Sequence, residues 1–285
     1  MAPSSCDNHG LPYPLEATIP GGPPEPTWNQ APPQRSNKVS YLNNIGKLDD
    51  PYAALKHLNT LFLIDDSASM QHCWDEVWDI LRILAPVCIE HDPDGIDIEF
   101  VNYRAHGYFF TGRSGYKNIG LMKGMIDMHD NVAGIYHCVK PKGRYSMDTR
   151  LGSILGDYMS SFALLHAETR GRKLLIPLNI IVITDMQWYS DQFKFDAITR
   201  TARRLDKLGA PQYQVGVQFF RVGDGGREVD SATVRFIDDQ IWKEKGVRDM
   251  VDMTTWTGKP GELSPDGLLK VLLGAVRRSV DFKNA

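Results

Sequence analysis

Residues 61–70 read Leu61-Phe-Leu-Ile-Asp-Asp-Ser-Ala-Ser-Met70, four apolar side chains running straight into an oxygen-rich turn. An unbroken apolar run of this length predicts a strand covered on both faces, as in a parallel sheet. Asp65, Ser67 and Ser69 alternate along the turn, so a carboxylate and two hydroxyls can converge on one point. Oxygens of this kind form part of the shell that a hard cation such as Mg²⁺ takes, with waters completing it. The hydroxyls leave the ion's charge unneutralised, so a partner's carboxylate would still be attracted to it. The plainer reading is a polar turn that caps the following helix.

Working outward, strands and helices alternate. A short helix is expected from Pro51 to about Leu58. Trp74, Val77, Trp78, Leu81, Leu84 and Cys88 mark one helical face, with Pro86 expected to bend or end that helix early. Ile96–Val101 is a second strand, and Asn102–Gly107 is expected to turn the chain back into an antiparallel strand at Tyr108–Thr111. Lys117–His129 fits either a helix or a loop. Leu151, Ile154, Leu155, Tyr158, Phe162 and Leu165 define an amphipathic helix. Ile180–Ile183 is the strongest strand and ends in Thr184-Asp185. A helix through Phe195–Leu205, a strand at Val215–Phe220, a helix at Val234–Trp242 and a strand at Met250–Met253 follow. Ser264 caps a last helix with Pro265 in its first turn, expected to run to about Val280. Such alternation predicts a doubly wound α/β sheet, mostly parallel, with helices on both faces. Ligands collect at the carboxyl ends of its strands, where Asp65 and Asp185 would sit on neighbouring strands.

Composition narrows the function classes. The 285 residues are 42% hydrophobic and 24% charged, with a formal charge of −3. That balance gives no general drive toward nucleic acid or anionic lipid. No apolar run approaches the ~20 residues of a membrane-spanning helix. Cys6, Cys73, Cys88 and Cys138 form no C-x-x-C pair, which argues against zinc and a disulfide framework. With no secretory signal pattern at the start, a cytoplasmic protein is expected.

Nine of the 17 prolines fall within the first 36 residues. Proline fixes φ and removes a backbone donor, so residues 1–46 are expected to form a mostly disordered tail ahead of one domain at 47–285. Pro20-Gly-Gly-Pro23 and Pro23-Pro-Glu-Pro26 suit a proline-reading domain, but such short patterns are common by chance and a plain spacer is the favoured reading.

Asp65-Asp-Ser-Ala-Ser69, Leu178-Asn-Ile-Ile-Val-Ile-Thr-Asp185 and Val215-Gly-Val-Gln-Phe-Phe220 together resemble the von Willebrand factor type A (vWA) domain. The resemblance covers roughly Leu55 to Asp281. With Asp94-Gly-Ile-Asp97 and Gly246-Val-Arg-Asp-Met-Val251, the wording is most similar to stand-alone fungal vWA domains. The resemblance implies a Rossmann-like sheet with one antiparallel edge strand and a metal-ion-dependent adhesion site (MIDAS) at its top. It further implies that Ser67 and Ser69 bind Mg²⁺ or Mn²⁺ directly. Asp65 and Asp185 would bind directly or through water, and an acidic residue of a protein partner would complete the shell.

One family position departs from the pattern. Gly143-Arg-Tyr-Ser-Met-Asp-Thr-Arg-Leu151 places Tyr145 where the family keeps a ligating threonine. Ser146 and Thr149 are the nearby substitutes, Thr149 being equally a first-turn residue behind an Asp148 cap. Met186 replaces the glycine that usually follows Thr-Asp, so two bulky residues are expected at the rim and the cation is expected to bind weakly.

Enzymatic readings find less support. Position 67 is serine where an aspartyl phosphotransferase needs a second acid. There is no G-x-x-x-x-G-K-[ST] loop, no Gly-x-Ser-x-Gly elbow and no His-Glu-x-x-His. Arg200, Arg203, Arg204 and Lys207 form a basic stripe best read as a solvated helix face. The function expected is therefore a non-enzymatic, intracellular protein-interaction module built on a partly degenerate MIDAS. A metal-free scaffold, or a hydrolase using the same cation, is the alternative.

Overall fold

A computed structural model describes residues 50–104, 115–120, 128–144, 147–187, 195–223, 236–256 and 263–277. Side chains of 128–131 and 241 are not included in that description. The expectation of a disordered tail at 1–46, with its proline motifs, lies outside these residues, as do Cys6, Tyr145 and Ser146.

Six strands form one sheet: β1 Asn59–Ile64, β2 Ile96–Phe100, β3 Tyr116–Ile119, β4 Leu178–Thr184, β5 Val215–Arg221 and β6 Val251–Thr255. Their order is β3-β2-β1-β4-β5-β6, all parallel except the antiparallel edge strand β3. The helices are α1 Trp74–His91, α2 Met128–Cys138, α3 Met147–Thr169, α4 Asp196–Lys207, α5 Ile241–Lys245 and α6 Pro265–Leu273.

The period-two alternation of the central strands feeds two cores. Phe62, Ile64, Ile181, Ile183 and Phe220 pack under α1, α2 and α6. Leu61, Leu63, Ile180, Val182, Val217 and Phe219 pack under α3, α4 and α5. Both faces are thereby covered, which is why β1 and β4 read as continuous apolar runs.

Several boundaries differ from expectation. Pro51–Leu58 forms only turns and a 3₁₀ turn at Leu55–His57. Pro86 does not end α1, which continues to His91. Its ring lies on the exposed side, so the Arg82 carbonyl it cannot bond also sits on the exposed side. The antiparallel edge strand is Tyr116–Ile119, while Tyr108–Thr111 falls outside the described residues. The expected helix at Val234–Trp242 is a π-helical turn at Phe236–Gln240 followed by α5. Ser264 does cap α6, its hydroxyl accepting the Gly267 N–H at 3.0 Å. However, α6 ends at Leu273 and gives way to a 3₁₀ turn.

The π-helical turn guards the sheet's outer edge. Asp238 accepts the Met253 N–H at 3.0 Å, and Asp249 accepts the Val251 N–H at 3.2 Å. Both would otherwise be open donors on an edge strand. At the other side, Asp97 and Glu99 of β2 turn into the sheet rather than away from it. Lys117 pairs with both at 2.9 Å, and Arg150 of α3 pairs with Glu99 at 2.6 Å.

The two ends of the described fold meet at the amino edge of the sheet. Asp50 pairs with His91 at 3.2 Å, and the Arg277 guanidinium donates to the Pro51 carbonyl at 3.4 Å. Among the described residues no helix is long and apolar enough to cross a membrane. Cys73, Cys88 and Cys138 are free thiols, and Arg200, Arg203, Arg204 and Lys207 are exposed on α4.

Candidate functional site

The chain builds β2 and β3 to one side of β1 and β4, β5 and β6 to the other, so strand order reverses between β1 and β4. Ile64 and Ile183 are direct partners across that junction. Asp65 and Asp185 follow at the carboxyl edge of adjacent central strands, in the crevice where doubly wound sheets hold ligands.

Asp65 is fully buried and closes the turn. Its Oδ1 accepts the Ser67 N–H at 3.0 Å, and its Oδ2 accepts the Thr184 hydroxyl at 2.7 Å. Burial pushes its pKa up to about 6; the two neighbours' hydrogen bonds oppose that rise, and the Asp185 charge adds to it. Ser67 and Ser69 bring their hydroxyls within 3.2 Å of each other. Ser67 stands at the N-cap of the helical turn that follows but its hydroxyl makes no capping hydrogen bond, so the plain capping reading does not account for that hydroxyl. Ser67 is buried and Ser69 half-buried, so Ser69 is the more accessible of the two hydroxyl residues.

Asp185 is buried and only partly anchored. Its N–H donates to the Met70 sulfur at 3.1 Å, and its Oδ1 accepts the Gln187 N–H at 3.0 Å. Its buried Oδ2 has no hydrogen-bond partner among the described residues. A buried carboxylate oxygen left unpaired is costly and calls for a partner. The Cys73 thiol lies nearby but is pushed up to about 12 by burial and by the Asp185, Glu76 and Asp65 charges, so it stays protonated at neutral pH. Gly223, two residues past β5, ties that strand's exit to α1: its N–H donates to Glu76 at 3.0 Å. A β-carbon there would lie 2.9 Å from the His72 ring.

The structure brings Asp65, Ser67, Ser69 and Asp185 to the same edge. It does not bring Thr149 to them: that residue lies exposed in the first turn of α3 and makes no hydrogen bond to them among the described residues. Asp148 is likewise inside that turn rather than its cap. Met186 does not crowd the rim. Its backbone is left-handed, at φ 59°, and its side chain is buried in the core beneath α3 and α4. Met186→Gly is therefore expected to relieve about 1 kcal/mol of backbone strain. It should forfeit roughly 1.5–3 kcal/mol of burial. The net result is a modest loss of stability, readable by urea unfolding; a gain would show that the core contact is weak.

Three contributors escaped the sequence reading. Thr184 orients Asp65, Met70 supports Asp185, and Asp66 binds two backbone donors. Only Thr184, standing directly before Asp185, carried a signal.

Among the described residues no three His, Cys, Asp or Glu side chains gather tightly enough to hold a metal by themselves. A cation here must therefore draw on the serine hydroxyls. What the described residues define is a doubly wound α/β fold with two acids and two hydroxyls at the carboxyl edge of its switch point. No family model matches the chain, and a search among curated proteins returns no significant match.

Proposed function

We propose that this chain is a vWA-type protein-interaction module that takes a partner through Mg²⁺ or Mn²⁺ held by Asp65, Ser67, Ser69 and Asp185. The observation that carries the reading is the unpaired, buried Oδ2 of Asp185 at the same strand-end edge as the paired Ser67 and Ser69 hydroxyls. A divalent cation bound there supplies an electrophilic position that an acidic side chain of the partner completes. Ser67 and Ser69 offer neutral ligands, Asp185 offers charge, and Asp65 holds the turn that aligns them. A binding role is preferred to hydrolysis because the neighbouring imidazole, His72, has its Nδ1 engaged by the Ser69 carbonyl.

A metal-free scaffold is the second reading, favoured by one observation. Both oxygens of Asp65 are already engaged inside the turn. Calorimetric titration of the full chain separates the two. Saturable Mn²⁺ or Mg²⁺ binding at or below the order of 1 mM, competed by EDTA, is expected for the cation reading. No heat and no paramagnetic broadening with Mn²⁺ over that range would leave the scaffold.

A further inference from the structure

Asp66, the second acid of the turn, is not among the proposed ligands, yet it is only 1% exposed. Its Oδ1 accepts the Asn102 N–H at 2.6 Å and its Oδ2 accepts the Tyr103 N–H at 2.8 Å. Those bonds tie the turn to the chain leaving β2. Asn102 then donates from Nδ2 to the Lys142 carbonyl at 3.2 Å. Lys142 donates its own N–H back to the Asp66 carbonyl at 2.8 Å, and the Ala68 N–H reaches the Gly143 carbonyl at 3.1 Å. The bonds close a ring through Asp66, Asn102 and Lys142, three segments separated by 36 and 40 residues.

A carboxylate is an expensive group to bury for the sake of an ordinary turn. Two charge-assisted bonds to backbone donors offset that cost and are stronger than neutral ones. Both oxygens point at the β2 exit, so Asp66 is spent on the frame of the carboxyl edge and not on a ligand. Its neighbours in sequence are Asp65 and Ser67, so the frame sets where those two side chains stand.

We infer that Asp66 is a positioning residue which, with Asn102, locks the β1 turn, the β2 exit and the 142–143 loop into one frame that aims Ser67 and Ser69. The inference rests on the cation reading above. It predicts that breaking the ring disturbs the pocket without removing any ligand. In the full chain, Asp66→Ala and Asn102→Ala should weaken Mn²⁺ binding about 10–100-fold, the usual effect of losing a group that orients metal ligands. In EDTA, segments 100–104 and 139–144 should also exchange their amide hydrogens faster in both variants. Arg248→Gln is the control: Arg248 bonds Asp206, Ala210 and Pro211 at the opposite edge of the sheet. It should lower the melting temperature while leaving Mn²⁺ affinity and exchange in those two segments unchanged. If Asp66→Ala does not fold, Asp66→Asn, which keeps one acceptor oxygen, and Asn102→Ala carry the test. Parental Mn²⁺ binding matched within about twofold by the variants, with unaltered exchange, overturns the inference and leaves the cation reading standing. A parental chain that binds no Mn²⁺ overturns the cation reading, and this inference with it.

Discussion

Asp185→Asn is expected to abolish Mn²⁺ binding and, in EDTA, to make the protein more stable. The two effects have one origin. Asp185 is buried beside Asp65 with an oxygen that no described residue satisfies, and its charge adds to the burial that holds Asp65 near pKa 6. Neutralising Asp185 removes a like charge buried near Asp65, for a gain of about 1–2 kcal/mol. That gain corresponds to a rise of roughly 2–8 °C in melting temperature for a domain of this size. The same change strips the proposed site of its one carboxylate with a free oxygen. Calorimetry and thermal unfolding on one preparation read both quantities. A variant that loses stability while retaining Mn²⁺ would mean that Asp185 is a structural acid and no ligand.

The second large effect concerns the fold. Arg150 is 4% exposed and Glu99 6%, joined at 2.6 Å across the α3–β2 interface. Arg150→Met should cost about 3 kcal/mol or more, because it leaves a buried charge less well compensated. Lys117, at 2.9 Å from Glu99, limits the damage. Adding Glu99→Met should recover most of the loss, since replacing a whole buried pair by apolar side chains of similar volume is often close to neutral. Urea unfolding of the two variants decides it. If the double variant is less stable than the single one, the pair contributes more than its own compensation.

How much of this was legible beforehand follows from where each signal lay. The four-residue apolar run ahead of Asp65, and its counterpart ahead of Asp185, determined the central pair of strands, because burial on both faces leaves no polar alternation to misread. Ser264-Pro265 marked the start of α6 because a cap is a local hydrogen bond. Tyr116–Ile119 was not read as an edge strand because it carries Lys117 and Asn118. Their polarity reads as loop until Lys117 is seen turned onto Asp97 and Glu99. Pro86 does not end α1 early, because a proline ends a helix only where the freed carbonyl has no other recourse. Met186 was misjudged because bulk was taken to mean obstruction. A left-handed backbone rotates that bulk out of the pocket and into the core. Asp66 carried no pattern at all, since its partners are backbone groups more than thirty residues away.

The hydrogen bond between Arg277 and Pro51 makes the domain a near-closed loop with a single stem. Whatever is fused or tethered to residue 50 or residue 277 departs from the same corner, the one facing away from Asp65 and Asp185. A pulling force applied through both attachments would load that corner alone and leave the opposite pole unstrained. The domain is thus mounted like a lamp on a bracket, its lit side turned outward.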